Sequence, residues 1–262
     1  MTSISTDYSM IAPRYDKVRE MRRENIDVWV SALSEYGNIE AMSDVLEIGA
    51  GTGRFTIPLC RKTRAHITAL DLSQDMLMLG QSKKLSERIN WVRGSAESLP
   101  FASSTFDCIF MVFTLQHIAD RTEALREIYR VLRPQGKLVI GAASHGQFKR
   151  ERICRYFPDL LTIDLARFPA IPKLKSLLRN HSFNTINSHY VNGKPAYLSK
   201  KEYLDWIVQK PLSTFALLTR TKYQEGLARF TQAKLNREMR EHFVYYQCVY
   251  VVASKQGKGE AA

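Results

Sequence analysis

The chain has 262 residues, of which 45% are hydrophobic and 24% charged, a globular composition that excludes disordered, collagen-like and fibrous chains. Its formal net charge of +12 is unevenly placed: residues 1–145 hold 18 Lys and Arg against 17 Asp and Glu, and residues 146–262 hold 20 against 9. The four cysteines, Cys60, Cys108, Cys154 and Cys248, form no CxxC pair, which excludes a zinc knuckle or a thioredoxin-type motif and leaves no metal site to expect.

The first fifteen residues contain no apolar signal region, and no run approaches the roughly 18 apolar residues of a membrane span. With so few cysteines, a cytoplasmic protein is the expectation. In chain order, residues 15–36 carry Val18, Met21, Ile26, Trp29 and Leu33 at helical spacing and predict a helix. Residues 44–48 (DVLEI) predict a strand, 54–62 a helix with Pro58 near its start, and 67–70 a strand closed by Asp71. Ser73 predicts an N-cap for a helix to about Leu85. Residues 89–92 predict a third strand. The apolar run 105–113 reads as a strand buried on both faces. Residues 120–132 read as an amphipathic helix, 133–136 as a turn, and 137–142 as a fifth strand. Strict β-α alternation with short connections predicts a parallel sheet covered by helices.

After Ser144 the rhythm changes. Residues 145–168 read as basic and irregular, 171–180 as a helix and 183–191 as a strand. Residues 199–208 and 215–240 are helical by period, and 244–253 close the chain with a β-rich run. Organisation follows: an N-terminal helical cap over 1–43, a core over 44–198 with an insertion at 145–168, a helical cover over 199–240, and a last strand and tail over 241–262.

The chemistry-bearing feature is Glu47-Ile-Gly-Ala-Gly-Thr-Gly53, three alternating glycines after a strand and before a helix. Such glycines let the backbone turn sharply and approach a ligand. The dinucleotide fingerprint GxGxxG requires a third glycine where Arg54 stands. Glu47 is an anion beside the loop, which suits an amino group or a cation better than a pyrophosphate. Asp71 ends the next strand, where a carboxylate can accept from two ribose hydroxyls.

Four segments, DVLEIGAGTGRF at 44–55, ALDLSQDML at 69–77, VRGSAESLPFASSTFDCIF at 92–110 and LREIYRVLRPQGKLVI at 125–140, resemble class I S-adenosylmethionine (SAM)-dependent methyltransferases. The resemblance is to their small-molecule group, which is ubiquinone/menaquinone C-methyltransferase-like (type 11). It implies an α/β fold: a doubly wound, seven-stranded, mostly parallel sheet, Rossmann-like, with its last strand antiparallel and a helical cover. It also implies SAM as cofactor, S-adenosylhomocysteine (SAH) as product and no metal.

By the same resemblance Gly49, Gly51 and Gly53 would pass close to the methionine and ribose, with Glu47 near the amino group. Asp71 would take the ribose hydroxyls, and Leu72, Ser95, Ala96 and Glu97 would edge the adenine. Many relatives carry Asp at the position of Ser95. Phe113 would face the methionine, and Tyr15 and Arg19 would close over the cofactor.

SAM carries its own leaving group, so the protein must chiefly orient the acceptor and exclude water. Where the acceptor bears a proton, His117 and His145, after the fourth and fifth strands, are the candidate bases, ahead of His181 and His189. The expected acceptor is a small molecule, anionic or planar, because the basic C-terminal part interleaves cations with aromatics. Two other readings stay open: an RNA methyltransferase using that basic part, and a non-catalytic SAM-binding protein. The oligomeric state is not legible.

Overall fold

The computed structural model describes residues 15–18, 21–233, 242–244 and 247–257. The elements are α1 (Tyr15–Val18), α2 (Arg23–Tyr36), β1 (Asp44–Ile48), α3 (Thr56–Thr63), β2 (His66–Asp71), α4 (Gln74–Gln81), β3 (Ile89–Arg93), β4 (Phe106–Val112), α5 (Arg121–Val131), β5 (Leu132–Ala142), α6 (His145–Arg150), α7 (Pro158–Arg167), α8 (Ile171–Asn180), β6 (Phe183–Asn192), β7 (Ala196–Leu198), α9 (Lys200–Val208), α10 (Arg220–Gln232), β8 (His242–Val244) and β9 (Gln247–Lys255).

Seven strands form one sheet in the order β3-β2-β1-β4-β5-β9-β6. The pairs among β1 to β5 are parallel, and β9 runs antiparallel between β5 and β6. The order reverses between β1 and β4, so the carboxyl ends of these strands open onto the crevice where ligands bind in such sheets. β1, β4 and β9 are buried almost throughout, as strands covered on both faces must be. One face packs Trp29, Leu33, Leu59 and Tyr250. The other packs Leu125, Ile128, Leu174 and Leu178 of α5 and α8. A third cluster, with Phe157, Tyr203, Phe215 and Phe230, is the interior of the cover.

Local chemistry sets the element ends. The Asp120 carboxylate accepts from the Thr122 and Glu123 amides at the start of α5. Ser199 and Glu202 form a reciprocal capping box on α9. Pro158 and Pro172 sit in the first turns of α7 and α8, where no amide is needed.

The structure corrects several expectations. Residues 145–168 are ordered helix, α6 and α7 with a short 3₁₀ turn between them. Of the basic residues that suggested irregularity, Lys149, Arg150 and Arg155 are exposed, whereas Arg167 is turned inward onto His117, Ser213 and Thr214. The expected single helix over 15–36 is divided: Arg22 is extended, and the buried Asn25 side chain exchanges two hydrogen bonds with the Lys194 backbone, fixing where α2 begins. Residues 133–136 are not a turn before β5. Leu132 already pairs with Phe106 and Lys137 pairs with Cys108, so these residues bulge from the strand with Gln135 at φ 65°. Arg133 thereby reaches Asp44 at 2.8 Å and Asp107 at 2.7 Å, at the amino ends of β1 and β4. The helix after Ser73 stops at Gln81, short of the expected Leu85, which itself lies at φ 71°. The β7–β8 pair was not anticipated. The C-terminal parts of the expected helix 215–240 and Arg19 lie outside the described residues.

Candidate active site

The glycine loop follows directly from β1. Its three glycines have φ of 74°, 56° and 76°, a region that L side chains enter only at a cost. Gly49 and Ala50 donate their amides to the Leu70 carbonyl, at 2.8 and 3.0 Å. A Cβ on Gly49 would stand 2.3 Å from the Thr114 side chain. At Gly51 only the tip of Met76 comes within contact range, at 3.2 Å. Gly51 thus faces open space on the cavity side.

Asp71 holds the loop from β2. One carboxylate oxygen accepts from the Gly51 amide at 2.7 Å and the other from the Ser73 amide at 2.9 Å. Burial raises its pKa, opposed by these amides. Glu47 is 2% exposed and accepts from the Thr56 hydroxyl. Burial pushes its pKa up to about 8, the Thr56 hydrogen bond opposes this, and the charge of Asp71 adds to it. A buried carboxyl with no cation beside it among the described residues is a ready partner for an ammonium or sulfonium group.

A cavity of about 770 Å³ runs from this loop to the helical cover. Tyr15, Glu47, Gly49, Gly51, Asp71, Leu72, Ser95, Ala96, Glu97 and Phe113 line it. Gly53 is turned away, toward Trp91 and Ile57. Leu72 is 69% exposed at the rim. The Glu97 carboxylate accepts from the Asp120 amide at 2.7 Å, and Ser95 caps the Glu97 amide, so these two shape the loop as well as the wall.

The two candidate bases part company. The His145 Nε2 is 2.7 Å from the Phe168 carbonyl oxygen. A carbonyl only accepts, so Nε2 carries the ring proton and spends it on this bond. His145 is absent from the described residues that line the cavity; it ties α6 to the end of α7. His117 does line the cavity, but the Arg167 guanidinium lies 3.3 Å from its Nδ1. A guanidinium only donates, so Nδ1 accepts and the neutral ring carries its proton on Nε2. His181 bonds the Leu177 carbonyl at a helix end, and His189 stacks on Tyr36.

The basic residues behind the anionic-acceptor expectation are not on the cavity wall. Among the described residues, no Lys or Arg from 146–262 lines the cavity; the charged side chains that this part contributes are Glu151 and Asp164. Sequence reasoning missed Trp29, Gln147 and Glu151. Trp29 and Gln147 line the cavity and each has a buried polar atom, Nε1 and Oε1, with no partner. Trp29 looked like an ordinary core residue at helical spacing, and Glu151 like one more charge in a basic run.

Among the described residues no group of His, Cys, Asp and Glu is placed to hold a metal ion, and no helix is long and apolar enough to cross a membrane. The cradle has positive-φ glycines, open space at Gly51, two carboxylates and an orphan indole donor. A ligand with a cationic centre, paired hydroxyls and an acceptor group fits this donor set, as SAM does.

Comparison with known proteins defines the class. Residues 46–140 match the family model described as a methyltransferase domain. The ubiquinone/menaquinone biosynthesis C-methyltransferase UbiE of Blochmanniella floridana is 30% identical over 188 residues, 68% of this chain and 70% of that protein. The same enzyme of Roseobacter denitrificans is 31% identical over 139 residues, 51% of this chain and 56% of the relative, so this match spans little more than half of the relative's length. The fold is shared with the YcgJ protein of Bacillus subtilis, at a TM-score of 0.63 and 17% identity, covering 87% of this chain and 97% of the other. The chain belongs to the class I SAM-dependent methyltransferase family.

Proposed function

We propose that the protein transfers a methyl group from SAM to a small organic acceptor held between the glycine loop and the helical cover. The observation that carries this is the continuity of the cavity. One space of about 770 Å³ touches the loop at one end and Phe168, Trp206 and Thr214 at the other, room for a cofactor and a modest second molecule.

In this reading the loop backbone at Gly49 and Gly51, with Glu47 and Asp71, positions the methionine and ribose parts. Leu72, Ser95, Ala96 and Glu97 border the adenine, and Tyr15 and Phe113 flank the reacting end. SAM supplies an electrophilic methyl on a sulfonium leaving group. The chain's residues then have to align the acceptor in line with it, keep water out and accept any proton that is shed; alignment of this kind is worth roughly 7–11 kcal/mol in good cases. The aromatic walls favour a planar acceptor.

The test is incubation with methyl-labelled SAM and, separately, a metabolite extract and total RNA. Label in a small organic product supports the reading. Label confined to RNA, or no transfer to any acceptor, contradicts it.

A further inference from the structure

The cover end of the cavity has a chemistry of its own. Gln147, in α6, and Glu151, one helical turn on, both line it. Gln147 is 9% exposed. Its side chain hydrogen-bonds the Glu151 carboxylate. A carboxylate needs a donor, so the amide NH₂ points to Glu151 and Oε1 is left over. That oxygen is buried and has no partner among the described residues. A buried acceptor without a donor is unfavourable, and a ligand N–H would supply the missing donor.

Glu151 forms no ion pair among the described residues; the guanidinium of its neighbour Arg150 reaches Gln247 instead, at 3.3 Å. Asp164, from α7, lines the same space and raises the Glu151 pKa, while its own carboxylate has the Arg167 guanidinium 4.0 Å away. Its own carboxylate accepts from the Thr214 hydroxyl at 2.5 Å. The other polar groups near Glu151 are the Cys154 thiol and, from α9, the Tyr203 hydroxyl; the cations on this side are Arg150, Arg152, which also acts on Tyr203, and Arg167, 4.0 Å from Asp164. Phe148, Phe168 and Trp206 supply ring faces, which attract cations.

We infer that the acceptor compartment receives a cationic amine bearing N–H donors, held by the Glu151 carboxylate and Gln147 Oε1 between aromatic faces. This rests on the cofactor reading above and narrows its substrate class. It reverses the sign expected from net charge: among the described residues, the wall that the C-terminal part contributes to the cavity holds Glu151 and Asp164 and no Lys or Arg. Burial pushes the Glu151 pKa up to about 7, reinforced by Asp164 and opposed by Gln147 and Arg150. Amine affinity therefore rises as pH goes from 6 to 8 and Glu151 ionises.

The experiment is calorimetry on the full chain saturated with SAH, using phenethylamine, 3-phenylpropionate and phenethyl alcohol as probes of matched size. At pH 8 the amine binds at least about tenfold more tightly than the carboxylate, the scale of one charged hydrogen bond. Glu151→Gln removes that margin and flattens its rise between pH 6 and 8. Gln147→Met weakens the amine without changing the pH profile. SAH titrated first into each protein reports the cofactor half separately: no SAH binding to the wild type overturns the cofactor reading and this inference with it. Given SAH binding, the inference alone is overturned if the amine fails to bind or the carboxylate binds as well. An unchanged ratio in Glu151→Gln overturns it as well.

Discussion

Glu47 carries the sharpest consequence at the scale of single residues. Its folded-state pKa, about 8, lies above the ordinary 4.5. The folded protein without ligand therefore holds this proton more tightly than the unfolded chain does. The associated stability is complete below about pH 4.5 and is lost as pH rises through about 8. Between pH 6 and 8 the loss is roughly 2 kcal/mol, several degrees of melting temperature for a chain of this size. Melting curves of wild type and Glu47→Gln across that range should diverge, with the variant the flatter. Parallel curves would mean that Glu47 is ionised throughout.

The glycines separate in the same way. Gly49→Ala drives a Cβ into Thr114 and should abolish SAH binding. Gly51→Ala meets only the flexible end of Met76 and carries mainly the backbone penalty of about 1–2 kcal/mol. Calorimetry on the two variants orders them; equal losses would contradict the account. The sequence pattern alone treats the three glycines alike. Only the folded loop shows that Gly53 packs under Trp91 while Gly51 faces the cavity.

Elements bring the parts of the site together. The Asp16 carboxylate of α1 reaches the Thr52 hydroxyl at 2.5 Å and Lys83 at 2.6 Å, and Lys83 also bonds the Thr52 carbonyl at 2.7 Å. A helix of the cap is thereby fastened to the glycine loop. Half-exposed ion pairs are individually weak, so Asp16→Ala should loosen SAH binding by less than about tenfold. At the other end, α10 packs Gly226 against Phe157 so closely that a Cβ would lie 2.1 Å from the ring. Gly226→Ala should destabilise the cover by about 1–3 kcal/mol, raising the acceptor KM more than the SAH Kd. An SAH affinity that falls in step with the acceptor's would show that the cover and the loop are not separable.

The β-α core was legible because its signals are local: apolar runs for buried strands, Asp120 and Ser73 as caps, glycines at the turn. The cover was not. The helices of 145–168 are basic outside and apolar only where Ile153, Phe157 and Leu160 meet α9 and α10, contacts between residues far apart in sequence.

At the scale of the whole molecule, net charge and the cavity wall differ in sign. The excess of Lys and Arg in residues 146–262 suggested an anionic partner, yet the cavity that the same residues build is lined with acids and aromatic rings. Long-range charge governs association and solubility; the groups that line a cavity are set by topology, which placed Glu151 and Asp164 on the wall and Arg167 beside Asp164 and His117. His117 and His145 illustrate the same limit. Their positions after β4 and β5 were readable, but the hydrogen bonds that fix their tautomers come from Arg167 and Phe168, brought there by α7.

The central claim is that the crevice at the β1–β2 carboxyl ends is a SAM site. Titration of SAH into the wild-type chain and into Asp71→Ala tests it most directly. Binding at one site per chain, weakened at least about tenfold by loss of the carboxylate, is the expected result. No binding to the wild type, or equal affinity in the variant, would contradict it.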